Sequence, residues 1–296
     1  MSKTSAPYGF AKTHAMLGWG FIAVLVLIGF CVWHYFRIDR PTVAAALVGG
    51  GVAALATAVG TVPLLFSRYL SARIQDAMLG FGAGVMLAAC SFSLIIPGIE
   101  AATGLGFGKW GAPLIIGASI FLGAAVMFTI EHLAPHEHFI TDLNEEEART
   151  IRRTWLFIFA IALHNVPEGL AIGVAFGGNN AMQASALAAG ISIQDIPEGM
   201  VVAVALLGAG YRRSHAVLIG VASGMVEPVA ALLGALIVDI SGMLLPWGLG
   251  FAAGAMLFVI SHEMIPESHR KGHESAATTG LMIGFVLMML LDVALG

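Results

Sequence analysis

Nine runs of about twenty apolar residues, separated by short polar segments, take up most of this 296-residue chain. They lie at approximately 15–36, 43–66, 75–97, 112–133, 155–177, 184–208, 214–238, 245–266 and 277–295. A helix of that length crosses the hydrocarbon core of a bilayer, so the pattern predicts an all-α integral membrane protein. Composition agrees, with 58% hydrophobic and 11% charged residues, against about 25% charged in soluble domains. The mean hydropathy is +0.89. No nucleic-acid partner is expected, because the fourteen basic residues are dispersed along a chain of net charge −4. Cys31 and Cys90 sit inside apolar runs and read as small buried hydrophobes rather than a disulfide. The 37 glycines suit close helix contacts in lipid.

The first run ends in bulky Trp33-His34-Tyr35-Phe36 with no small-residue cleavage site, so it reads as an uncleaved helix and not a signal peptide. Orientation follows from Lys and Arg, all of which fall between the runs. With the N-terminus cytoplasmic, eleven lie on the inner side and three (Arg37, Arg40 and Lys109) on the outer. The C-terminus is then extracytoplasmic, and residues 134–154 form a cytoplasmic loop that carries His136, His138 and the acidic Glu145-Glu146-Glu147.

Two near-identical hexapeptides interrupt consecutive runs. They are His164-Asn165-Val166-Pro167-Glu168-Gly169 and, thirty residues on, Gln194-Asp195-Ile196-Pro197-Glu198-Gly199. Residues four apart share a helix face, so His164 lies over Glu168, and Gln194 over Glu198, with Asn165 and Asp195 beside them. Glu227 stands halfway along a third run and is also followed by proline. Glu168, Asp195, Glu198 and Glu227 thus meet at one depth with no Lys or Arg in any run. Such side chains are costly in lipid and mark ion or substrate pathways. Compensation must come from protons, bound cations, or exchange of the two. Imidazole, carboxylate and amide without thiolate suit Zn²⁺ and its divalent neighbours, as one ion or as two bridged by Glu168 and Glu198. A structural polar network and a metal-free proton relay are the alternatives. Gly169 and Gly199 read as packing residues. The three prolines free the carbonyls of Leu163, Ile193 and Gly224. Met86, halfway along run 75–97, reads as packing or as a soft ligand.

A second polar set closes two runs on the cytoplasmic side. Glu131, His132, His136 and His138 follow one, and His262, Glu263, Glu267, His269 and His273 follow the other. They suggest an exit site in which histidine exchanges metal for protons. Glu100, Asp239 and Asp292 lie near outer ends and would attract cations. A membrane zinc protease is disfavoured, since no His-Glu-x-x-His occurs: Pro266 takes the needed position after His262-Glu263. A proton-coupled carrier of a small organic solute is the stronger alternative.

The H-N-x-P-E-G helix followed by a Q-D-x-P-E-G helix resembles the ZIP (Zrt/Irt-like) divalent-metal transporters, and Gln194-Asp195 resembles the bacterial GufA-like branch. The resemblance covers residues 43–296. It implies an eight-helix transport domain, preceded here by residues 1–42 with one additional N-terminal transmembrane helix. It implies a multi-pass, usually homodimeric protein of the bacterial inner membrane. Such a protein moves Zn²⁺, with Cd²⁺, Fe²⁺ or Mn²⁺ as further substrates, toward the cytosol without a cofactor. One metal site is implied at His164, Glu168, Gln194 and Glu198. An adjoining one is implied at Asn165, Asp195 and Glu227 with the same two glutamates, and Met86 falls in the pathway. Three departures stand out: the extra run 15–36, a 134–154 loop with only two histidines, and Gln194 where many members carry histidine.

Overall fold

The computed structural model describes residues 30, 34, 40–66, 70–133, 163–178, 180–208 and 210–295. Among them stand eight long helices and no strand. They are α1 (Pro41–Thr61, continued by a 3-10 turn Val62–Leu65), α2 (Ala72–Gly104), α3 (Gly111–Leu133), α4 (163–177), α5 (Ala181–Gly208), α6 (Arg213–Ile240), α7 (Gly242–His269) and α8 (Glu274–Leu295). Seven of them are long and apolar enough to cross a membrane, and α4 is described over 163–177 only. The all-α membrane class therefore holds. Run 15–36, apart from Phe30 and His34, lies outside the described residues, as do the 134–154 loop, His136, His138 and Cys31.

Two helices are longer than their apolar runs indicated, and proline is the reason. α2 continues past Pro97 to Gly104. Its residues Ala89–Ile95 form a π-helical segment, in which Ile96 donates its N–H to the carbonyl of Ser91, five residues back. α7 repeats the device. Ile265, just before Pro266, donates to Ile260, closing a π segment over Ile260–Met264. Proline cannot donate, and its ring crowds the carbonyl four residues earlier. Widening the preceding turn lets each helix run on through its proline. α6 instead breaks at Met225 into Arg213–Gly224 and Val226–Ile240, with Pro228 in the first turn of the second half. Proline is tolerated there because its missing N–H would be unbonded anyway.

Packing divides the helices into two groups. α2 lies along α8, and α7 along α3; α1 lies along α5 and against the second half of α6. α4 abuts α6. Exchanging α1 with α6, α2 with α7, α3 with α8 and α4 with α5 maps this scheme onto itself. The first three pairs are five helices apart and so run in opposite directions, which makes the two halves an inverted repeat. One group is α1, α4, α5 and α6; the other is α2, α3, α7 and α8. α5 meets the second group along α2 and α8.

Glycine makes the closest crossings. A methyl group on Gly80 or Gly84 of α2 would collide with the carbonyl oxygens of Ala277 and Leu281, and one on Gly280 or Gly284 of α8 with those of Ala77 and Phe81. Both helices thus meet through glycines four residues apart, a small-residue interface that brings backbones together in lipid. Gly123 and Gly254 do the same for α3 and α7. Around them Met86, Leu94, Ile172, Leu187, Ile191, Met256 and Ile260 fill the apolar core.

Candidate metal site

The two hexapeptides lie on α4 and α5, and their glycines bring those helices close to their neighbours. A methyl on Gly169 would strike the carbonyl oxygen of Glu227, and one on Gly199 that of Thr57. The packing role expected of both glycines is what the structure shows. These approaches draw α1, α4, α5 and the joint of α6 around one point. Glu227 sits in the first turn beyond that joint, where the free N–H groups of a helix start favour an anion.

Glu168, Gln194, Asp195, Glu227 and Asn165 are buried there, and Glu198 is partly buried. One carboxylate oxygen from each of Glu168, Asp195 and Glu198 lies within 4.8 Å of the other two. The Gln194 amide donates from Nε2 to Glu168 Oε1 at 2.5 Å and to Asp195 Oδ1 at 2.6 Å. Glu227 Oε1 accepts from Thr57 Oγ1 at 3.0 Å and from Asn165 Nδ2 at 3.4 Å. Glu168, Asp195 and Glu227 therefore each have one oxygen held and another left over. Glu168 Oε2, Gln194 Oε1, Asp195 Oδ2, Glu198 Oε2 and Glu227 Oε2 are all buried without a hydrogen-bond partner among the described residues. A buried polar atom left unmet costs about 1–3 kcal/mol, more for a charged group. The carboxylates of Glu168, Asp195 and Glu198 among them share one cluster, a set of groups that could hold a cation.

His164 also has a partner outside this inner set. Its Nε2 stands 3.2 Å from Glu263 Oε2 in the π segment of α7, although both are electrostatic neighbours of Glu198. His262, beside Glu263, holds Glu131 Oε1 of α3 at 3.1 Å from its Nε2. His164, Glu263, His262 and Glu131 therefore make a chain of pairs leading from the acids to the helix ends. Its aromatic flank is a ladder of His132, Phe128, Phe258 and His262. Met86 is buried in the main apolar core.

Three polar partners carried no signal beforehand. Thr57 is one, since a threonine in an apolar run ordinarily bonds to its own backbone, as this one also does to Ala53 O. Asp76 is fully buried and holds His273 Nδ1 at 2.9 Å, with Lys271 Nζ 3.9 Å away. Ser93, in the π segment of α2, donates to Asp292 at 2.5 Å. The outer acids do not gather into one cluster: Asp239 pairs with Arg40, Asp292 with Ser93, and Glu100 is exposed.

Residues 136–292 match the ZIP Zinc transporter family model, more than half of the chain. The chain belongs to the ZIP family. Among ZIP relatives, Zinc transporter ZIPB of Bordetella bronchiseptica is 46% identical over 291 residues, covering 97% of this chain and 94% of that one. Zinc transporter GufA of Myxococcus xanthus is 45% identical over 252 residues, 85% of this chain and 99% of its own length, which supports the GufA-like branch. Zinc transporter ZIP11 of Homo sapiens is 33% identical over 323 residues, covering 81% of this chain and 94% of that one. This ZIP protein is a multi-pass membrane protein of a transporter family, not an enzyme.

Proposed function

We propose that this protein moves divalent metal ions, zinc foremost with cadmium, iron and manganese as rival substrates, across the bacterial inner membrane into the cytoplasm. The cluster of Glu168, Asp195 and Glu198 carboxylates within 4.8 Å of one another, each with a buried oxygen lacking a partner among the described residues, carries the reading. A Zn–O bond of about 2.0–2.2 Å puts two ligand oxygens at most about 4.4 Å apart. The 4.8 Å cluster of Glu168, Asp195 and Glu198 is close to that span. It has room for a bare ion and not for an organic solute, so a metal carrier is favoured over a proton-coupled organic carrier. Glu168, Gln194 and Glu198 would hold one ion with His164. Asp195, Asn165 and Glu227 would hold a second with the same two glutamates as bridges. No resident cofactor enters the scheme.

The two helix groups suggest how an ion moves. With the N-terminus cytoplasmic, a closed apolar seam lined by Val85, Gly190, Ile193, Leu287, Met288 and Leu291 lies between the groups on the outer side of the site. The paired chain His164, Glu263, His262 and Glu131 lies on the inner side, and His136 and His138 would join it in this reading. One nitrogen, His164 Nε2, would serve both as a metal ligand and as the partner of Glu263, so release of the ion inward hands that nitrogen over. Movement of one group against the other would alternate access. Met86 belongs to the same pathway in this reading. The homodimer rests on the family resemblance.

Purified protein in liposomes with a trapped zinc dye tests the proposal. Zinc uptake that is lost in Glu198→Ala but kept in Glu147→Ala is expected. Equal uptake in the two would sink it.

A further inference from the structure

Gly80, Gly82 and Gly84 stand two residues apart on α2. Two residues turn a helix by about 200°, so the outer two share one face and Gly82 points the other way. The packing follows that split. Gly80 and Gly84 meet the backbone of α8, whereas a methyl on Gly82 would meet no backbone at all. It would stand 3.0 Å from Gln194 Oε1 and 3.1 Å from Met264 Cε. Comfortable contacts of carbon lie at about 3.5–4.0 Å, so a side chain there would push the amide back by several tenths of an ångström.

The direction of the push matters because of how Gln194 is held. Its Nε2 is taken by Glu168 and Asp195. Its Oε1 therefore faces away from them, is buried, and has no partner among the described residues. This oxygen is thus aimed across to the opposing helix group, into the space that Gly82 leaves empty. Met86, one turn along α2, shares this face.

We propose that Gly82 is a specificity-determining residue of the site, giving the Gln194 amide the clearance it needs to accommodate ions larger than zinc, cadmium first among them. The inference rests on the metal-carrier reading above. Larger ions need longer bonds, as Ca²⁺ at about 2.3–2.6 Å does against Mg²⁺ at about 2.0–2.1 Å. Glu168 and Asp195 are held by Gln194, and Glu227 by Thr57 and Asn165. The amide can stand back only toward α2, and a methyl on Gly82 closes that direction.

The test is uptake of Zn²⁺ and of Cd²⁺ into proteoliposomes, with melting temperature measured with and without each metal. Wild type, Gly82→Ala, Gly84→Ala and Glu168→Ala are compared. Gly82→Ala is expected to lower cadmium uptake about tenfold more than zinc uptake, the low end of what one methyl group discriminates, with the metal-free melting temperature near wild type. Gly84→Ala is expected to lower the metal-free melting temperature and leave the cadmium-to-zinc ratio unchanged. An unchanged ratio in Gly82→Ala overturns the proposal. So does a metal-free melting temperature lowered as far as in Gly84→Ala, because Gly82 would then be one more packing glycine. If wild type itself is neither stabilised by metal nor active, or if Glu168→Ala behaves as wild type, the carrier reading fails and this inference falls with it.

Discussion

Two clusters of acids and histidines lie along one line through this protein, and they are finished to different degrees. Between the buried acids and the helix ends, His164 holds Glu263 and His262 holds Glu131, so each imidazole is matched to a carboxylate. Deep in the molecule, Glu168, Gln194, Asp195, Glu198 and Glu227 have the same kinds of atoms but leave one oxygen each unmet among the described residues. The histidine pairs are partly exposed, and among the described residues only Glu131 of their carboxylates keeps a buried oxygen without a partner, Oε2. The inner set is buried away from water, so protons or a bound cation must complete it. Binding strength is therefore expected of the buried acid cluster, and passage of the ion of the histidine pairs.

Removing an inner ligand should have the largest effect. Glu168→Ala is expected to abolish zinc-induced thermal stabilisation and to cut uptake by more than the roughly 100-fold that loss of a ligand's supporting hydrogen bond can cost. Stabilisation by zinc at the wild-type concentration would contradict the assignment. Thr57→Val comes next. It deletes the 3.0 Å bond that holds Glu227 Oε1, and zinc affinity by calorimetry should weaken about tenfold, as for a hydrogen bond to a charged group. An unchanged affinity would mean that Glu227 is positioned by α6 alone. His262→Ala should slow uptake a few-fold while leaving zinc-induced stabilisation intact, since it breaks only a half-exposed pair with Glu131. A parallel loss of stabilisation would erase the distinction between the two clusters. Arg40→Ala, which removes the exposed pair with Asp239, should change stability by less than about 1 kcal/mol and uptake not at all. Any loss of uptake would give that outer pair a part in transport.

The apolar runs announced α1 through α8 because membrane spanning leaves little choice of pattern, and the acids stood out because charge is rare in those runs. Helix ends were less legible. Run 75–97 stops at Pro97, yet α2 passes it, since a π turn is invisible in composition. Glu227 was visible as a buried charge, but the break at Met225 that puts it at a helix start was not. Spacing placed His164 over Glu168. It could not reveal that Glu263, a hundred residues later, holds the same imidazole. Thr57 and Asp76 were silent for different reasons: one looks like any threonine in an apolar helix, the other like any acid at a helix end. The twin hexapeptides told their chemistry plainly and their partners not at all.

The π segments of α2 and α7 have a consequence for chain length. Each holds one residue more than an α-helix of the same rise would need, just ahead of its proline. Deleting a residue from an ordinary turn would rotate everything beyond it by about 100° and tear the glycine crossings apart. Deleting one from either π segment would let the turn tighten to α-helix while both ends of the helix keep their registers. α2 and α7 each carry one residue of slack, and in α7 that slack lies directly beneath the side chain that grips His164.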